Sequence, residues 1–296
     1  MNPEIAQYEA LAKELLRRCL SEDDPADLHK WLTETLAHIG GGDENAAMTW
    51  DESFDFTDQM LAQYEAMANI PEAQRKVLSW PWASWREKID PLEDGMLAVV
   101  TAPDGAGKTI YAESIAEYWA QHKNHVVFVH YELSRRLMML RRTARHARIT
   151  ARELKSGKLT PEQKGRVESI RPRLAAWDGY ITYLRTPGWT MERTVAELGK
   201  LHSEGQCDVV VLDYLEKVAA SRRQLQMFGS NMFQREADNV EQLKNFSESS
   251  GVPVLEVAQM SKAGKTTGFD KVDRTAMRGA GEKSEKANLV VLLTRE

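Results

Sequence analysis

One short stretch limits what this chain can become. An apolar run at residues 96–100 leads into Thr101-Ala102-Pro103-Asp104-Gly105-Ala106-Gly107-Lys108-Thr109, and an amphipathic run at 110–121 leads out, with Ile115, Ala116 and Trp119 on one helical face. Strand, glycine turn and helix in that order are the setting in which a Gly-Lys-Thr ending reads as a phosphate-binding loop. Gly105 and Gly107 give the backbone the freedom to turn successive N–H groups inward onto a polyphosphate. Lys108 brings a point charge for β- and γ-phosphates, the Thr109 hydroxyl is a ligand for Mg²⁺, and the helix N-terminus adds the positive end of its dipole. Ala102 stands where the common pattern has its first glycine. The expected nucleotide-binding set is therefore Ala102, Pro103, Asp104, Gly105, Ala106, Gly107, Lys108 and Thr109.

Beyond this loop the chain alternates strand-like and helix-like segments. Residues 126–131, 180–184, 209–212, 252–257 and 289–293 read as strands. Helices are expected from about 134, over 160–177, over 190–204 and over 231–249. Near-continuous apolar strands separated by helices of this length mean an α/β domain, with a mostly parallel sheet covered on both faces. In such sheets ligands bind at the carboxyl ends of the strands. Glu132, Asp213 and Gln259 each follow a predicted strand, so four strand ends, the loop's included, offer polar groups to one triphosphate. Asp213 is the expected Mg²⁺-side carboxylate, acting through water. Glu132 is the expected general base for an attacking water, and Gln259 a sensor of the γ-phosphate.

The segment before the loop has a different character. Ile5, Tyr8, Leu11, Leu15 and Cys19 recur at helical spacing, and Asp24-Pro25 opens a second expected helix that Gly40-Gly41-Gly42 ends. Residues 43–58 read as an acidic, turn-rich linker, and about 57–68 as a third helix. Trp80, Trp82 and Trp85 crowd together before the first strand. Such a cluster suits either base stacking or a packing anchor, and the anchor is favoured. Residues 1–96 hold 8 Lys/Arg against 20 Asp/Glu, whereas 97–296 hold 31 against 24, so the half with the phosphate loop is the basic half. No run approaches the ~18 apolar residues of a membrane span. The acidic start lacks the apolar core of a secretory signal. Cys19 and Cys207, far apart and without metal-like spacing, are expected as buried thiols in a reducing cytoplasm.

Taken in order, the motifs resemble those of the RecA-fold ATPase domain of DnaB-type replicative helicases. They are the loop at 102–109, His130-Tyr131-Glu132-Leu133-Ser134, Val211-Leu212-Asp213-Tyr214-Leu215, Gln242-Leu243-Lys244, Gln259-Met260-Ser261-Lys262, and Arg278-Gly279-Ala280-Gly281 followed by Ala287-Asn288-Leu289. Asn288 stands where that family usually shows an acid, and Gly279 where it shows Glu. The resemblance implies a RecA-like ATPase domain over residues 79–296, missing a final strand region, with residues 1–78 as a helical extension and acidic linker. It further implies a Mg²⁺-dependent ATP hydrolase that forms a homo-oligomeric ring, a hexamer, and translocates on single-stranded DNA in replication. A primase or loader is the implied protein partner. Two other readings stay open: a RecA- or KaiC-like ATPase of recombination or signalling, and a non-motor adaptor that ATP switches between oligomeric states.

Lys262, Lys265, Lys271, Arg274 and Arg278 fall within 17 residues that also hold Gly264 and Gly268. The resemblance makes this loop the lining of a central channel that tracks a DNA backbone. Lysines on flexible stems suit that task, and with Phe269 its one aromatic the loop should show weak sequence preference.

Overall fold

The computed structural model describes residues 50–70, 77–103, 105–131, 134–259 and 286–293. The chain divides into two units, Met1–Pro71 and Glu72–Glu296. In the first, helix α1 runs over Trp50–Asn69, so residues 50–58 are helical where a linker was expected. Carboxylates near a helix N-terminus are favoured by the dipole. Ser53 and Thr57 turn their hydroxyls onto the carbonyls of Trp50 and Ser53, so neither side chain competes for an alternative turn. The helices expected within residues 1–40 lie outside the described residues.

The second unit carries a short α2 (Ala83–Arg86) and then alternates as the sequence suggests. The order is β1 (Leu97–Ala102), α3 (Lys108–Gln121), β2 (His125–His130), α4 (Arg135–Ala147), α5 (Ala151–Ser156), α6 (Pro161–Glu168) and α7 (Ile170–Ala175). There follow β3 (Tyr180–Arg185), α8 (Met191–Ser203), β4 (Val209–Asp213), a 3₁₀ turn at Leu215–Lys217, α9 (Arg222–Phe228), α10 (Met232–Ser250), β5 (Val254–Gln259) and β6 (Leu289–Leu292). All six strands are parallel, in the order β3-β2-β4-β5-β1-β6.

Several boundaries differ from expectation. The single helix expected over 160–177 is two, because Pro172 lacks an N–H and its ring collides with the carbonyl four residues earlier; the break falls at Ser169. α5 is separate because Thr150 and Glu153 form a capping box before it and Gly157, at φ 69°, ends it. β5 extends to residue 259 and β4 to 213, so Gln259 and Asp213 are the last residues of their strands rather than residues beyond strands that end at 257 and 212.

β1 is buried along its whole length, as a central parallel strand must be. The period of two divides the sheet into two apolar layers. Val126, Phe128, Val209, Val211, Leu255 and Val257 pack under α3 against Ile115 and Trp119. Val127, Val129, Val210, Leu212 and Val254 pack against Met191, Leu198, Val240 and Leu243 of α8 and α10. The tryptophan cluster closes one end of the first layer. Trp80 is fully buried and donates its indole N–H to Asp90 O at 2.9 Å, while Trp119 donates to Ser79 O at 2.6 Å. Trp80 contacts Trp85 and Trp119 with ring centroids 5.5 and 6.0 Å apart. These residues anchor the segment before β1 to α3.

Candidate nucleotide site

The site forms where β1 stops. Gly105 (φ 75°) and Gly107 (φ 90°) occupy the left-handed region, and a Cβ at either would meet no atom within 4 Å. Conformation, not crowding, therefore requires glycine here. Gly107 is the N-cap of α3, so the chain turns from strand to helix within five residues, with Lys108 and Thr109 on the first helical turn. The Lys108 ammonium donates to the carbonyls of Ala102 (3.0 Å) and Pro103 (3.2 Å), which keeps it inside the curve of the loop.

Register brings the other strand ends into line. Ala102 pairs with Gln259, Asp213 with Val257 and with His130, and His130 with Arg185. β5 thus separates the loop strand from the Asp213 strand. The start of α3 spans that gap, and Thr109 Oγ1 donates to Asp213 Oδ2 at 2.8 Å. Asp213 is buried. One hydroxyl and one carboxylate at hydrogen-bond distance are hard oxygen donors suited to Mg²⁺, which keeps waters and takes the rest of its shell from phosphates. No group of three or more His, Cys, Asp or Glu that could hold a metal occurs among the described residues. The backbone N–H of Gln259 meets Glu216 Oε1 at 3.3 Å, tying the end of β5 to the turn after β4.

Asp104, Glu132, Lys262, Lys265, Lys271, Arg274 and Arg278 lie outside the described residues. Tyr131, directly before Glu132, is held at both ends. Its amide donates to Asp213 O at 3.4 Å and its hydroxyl meets Thr194 Oγ1 at 2.9 Å.

Other polar groups acquire partners only in the fold. Asn288 accepts from the Leu97 amide (2.9 Å) and from Lys244 Nζ (2.8 Å), so the amide oxygen does an acceptor's work where an acid was the usual residue. Glu113 and Glu117 are buried on α3, facing Arg142, Arg145 and His146 of α4. Burial pushes the Glu113 carboxyl up to about 7 against the pull of Arg145, with the Glu117 and Asp213 charges adding to the rise. The one signal in the sequence was acids at i and i+4 on the α3 stripe that begins at Thr109.

A parallel sheet of this order, with a glycine loop on one strand and a carboxylate facing it from another, defines a RecA-type P-loop fold. The chain belongs to the DnaB-like helicase C terminal domain family, whose profile matches residues 84–296. It is 27% identical over 201 residues to the replicative DNA helicase DnaB of Geobacillus stearothermophilus, covering 68% of this chain and 43% of that protein. It is 25% identical over 280 residues to the replicative DNA helicase DnaC of Bacillus subtilis, covering 93% and 59%. The chain thus spans roughly half the length of these curated relatives. The fold matches a DnaB-like replicative helicase solved in a study of its interactions with primase, with TM-score 0.69 and 13% identity over 99% of this chain and 67% of that one. It also matches the ATPase domain of G40P, with TM-score 0.66 and 15% identity over 81% and 83%.

Proposed function

We propose that this chain is the ATP-hydrolysing motor of a replicative-helicase-type ring, with residues 79–296 as the ATPase domain and 1–78 as an extension. The observation that carries this reading is the 2.8 Å bond from Thr109 to Asp213 beside a glycine loop that holds Lys108. Bound Mg²⁺ supplies charge neutralisation for the phosphates. Lys108 and the α3 N-terminus bind and orient the β- and γ-phosphates, and Thr109 and Asp213 hold the metal side. Glu132 takes the proton of the attacking water, and Gln259 reports the γ-phosphate to the basic loop after it. Lys262, Lys265, Lys271, Arg274 and Arg278 then follow single-stranded DNA through its phosphates. Family membership supports a homo-hexameric ring with primase or a loader as partner. Work on replicating DNA would place the protein in the cytoplasm. No helix among the described residues is long and apolar enough to cross a membrane.

ATP turnover measured with and without single-stranded DNA tests this. DNA should raise the rate, and Lys108→Ala should abolish nucleotide binding, since a cation at the loop's centre is lost. Nucleotide affinity retained in Lys108→Ala would end the assignment of the loop. Turnover indifferent to DNA would favour a nucleotide-switched adaptor over a motor.

A further inference from the structure

Thr109, Glu113 and Glu117 occupy positions i, i+4 and i+8 of α3 and so form one stripe. Its first member belongs to the candidate site, and the other two are buried carboxylates. Arg145 of α4 grips both. Its Nη2 lies 2.5 Å from Glu117 Oε1 and 3.3 Å from Glu113 Oε2, and its Nη1 lies 3.3 Å from Ser114 Oγ. His146 Nε2 meets the same Glu117 oxygen at 2.8 Å. Arg173 Nη2 lies 3.1 Å from His146 Nδ1, and since an arginine only donates, Nδ1 accepts and Nε2 carries the proton toward Glu117. Arg142 completes the group, 3.8 Å from Glu117 and over the Tyr183 ring at 5.1 Å.

Stability does not explain such a cluster, because buried ion pairs replaced by apolar residues commonly leave a protein as stable or more so. What a polar cluster with several directed bonds adds is one fixed arrangement of the elements that carry it. α4 needs that. Its buried residues are Met138, Ala144 and Ala147, a single large apolar side chain and two small ones. Its N-terminus is capped by Ser134, two residues after Glu132, and Arg135 and Arg136 that follow the cap are exposed. The helix that follows the expected general base is thus joined to the helix behind Lys108 and Thr109 by charges in its last turns.

We propose that Arg145 is a positioning residue: by clamping Glu113 and Glu117 it sets the helix that follows Glu132 in the chain against the helix that carries Lys108 and Thr109. This rests on the hydrolysis proposed above. The deciding variant replaces the clamp with apolar side chains, Arg145→Met with Glu117→Leu. Its folding is checked by urea unfolding, since Glu113 is left without Arg145, and Arg142 and His146 without Glu117; its ATP affinity should stay within about threefold. Its kcat should drop by ~10- to 100-fold, the scale that follows small misplacement of a catalytic group. Hydrogen exchange without nucleotide should speed up over residues 134–141 and not over 107–112. Arg145→Lys keeps the charge without the fork and should lie between.

Wild-type kcat in the double variant, or a loss of kcat matched by an equal loss of ATP affinity, overturns the proposal. Should the double variant not fold, Arg145→Lys decides: lower kcat at unchanged KM supports the clamp and unchanged kcat refutes it. A wild-type chain without ATP turnover refutes the proposed hydrolysis instead. The clamp then stands or falls on the exchange over 134–141 alone.

Discussion

Replacing Glu113 with glutamine should stabilise the protein, and by an amount that depends on pH in a defined direction. Glu113 is 4% exposed, and the nearest cation, Arg145, is committed more closely to Glu117 (2.5 Å) than to Glu113 (3.3 Å). Desolvation therefore outweighs the attraction and raises the carboxyl from 4.5 to about 7. The folded chain keeps this proton up to about pH 7, whereas the unfolded chain releases it near 4.5. Between those values the folded state binds more protons, so wild-type stability falls as pH rises through the window, and the full penalty applies above it. At 1.36 kcal/mol per pKa unit the penalty is about 3 kcal/mol. The neutral amide resembles the protonated acid and carries no such penalty. The gain from Glu113→Gln should be about 1 kcal/mol at pH 5 and about 3 kcal/mol at pH 8. Urea unfolding of both proteins at pH 5, 6, 7 and 8, followed through the buried tryptophans Trp80 and Trp119, measures it. A difference that stays flat with pH, or shrinks as pH rises, would refute the reasoning and mean that Glu113 is ionised throughout.

Glu132→Gln should still bind ATP while turnover falls by ~10²-fold or more, since an amide cannot accept the water's proton; an unchanged rate would remove Glu132 from the chemistry. Lys262→Ala with Lys265→Ala should weaken single-strand binding alike on all sequences and flatten the slope of log K against log salt by up to about 0.7 per lost contact. Titrations at several salt concentrations with equal slopes for both proteins would mean that this loop does not touch phosphates. Gly179→Ala should destabilise by about 1–3 kcal/mol, the range for overpacking a filled site, because its Cβ would fall 2.3 Å from Asn124 O and 2.7 Å from Ala120 O. Wild-type unfolding free energy in that variant would show that the backbone there yields.

The phosphate loop, the strands and the carboxylate at the end of the fourth strand were legible in the sequence because each rests on short-range physics. Gly105 and Gly107 sit at positive φ, which glycine adopts without strain, and a strand buried on both faces must be largely apolar, as β1 is from Leu97 to Val100 and β4 from Val209 to Leu212. The break at Ser169 was equally local and was missed, although Pro172 announced it. Other features had no local signal. Thr109 and Asp213 were expected at one metal, but nothing in the order of residues says that β5 lies between β1 and β4, so that the start of α3 has to span the gap to Asp213. Arg142 and Arg145 look like a solvated basic face until β2 and β3 bring α4 beside α3, where their charges find Glu113 and Glu117. Asn288 departs from the family's acid, yet its oxygen accepts from the Leu97 amide where β6 pairs with β1. Backbone conformation follows from neighbours a few residues away, but which polar groups share a site is set by the order and register of the strands, and those depend on how the apolar faces of the whole chain pack together.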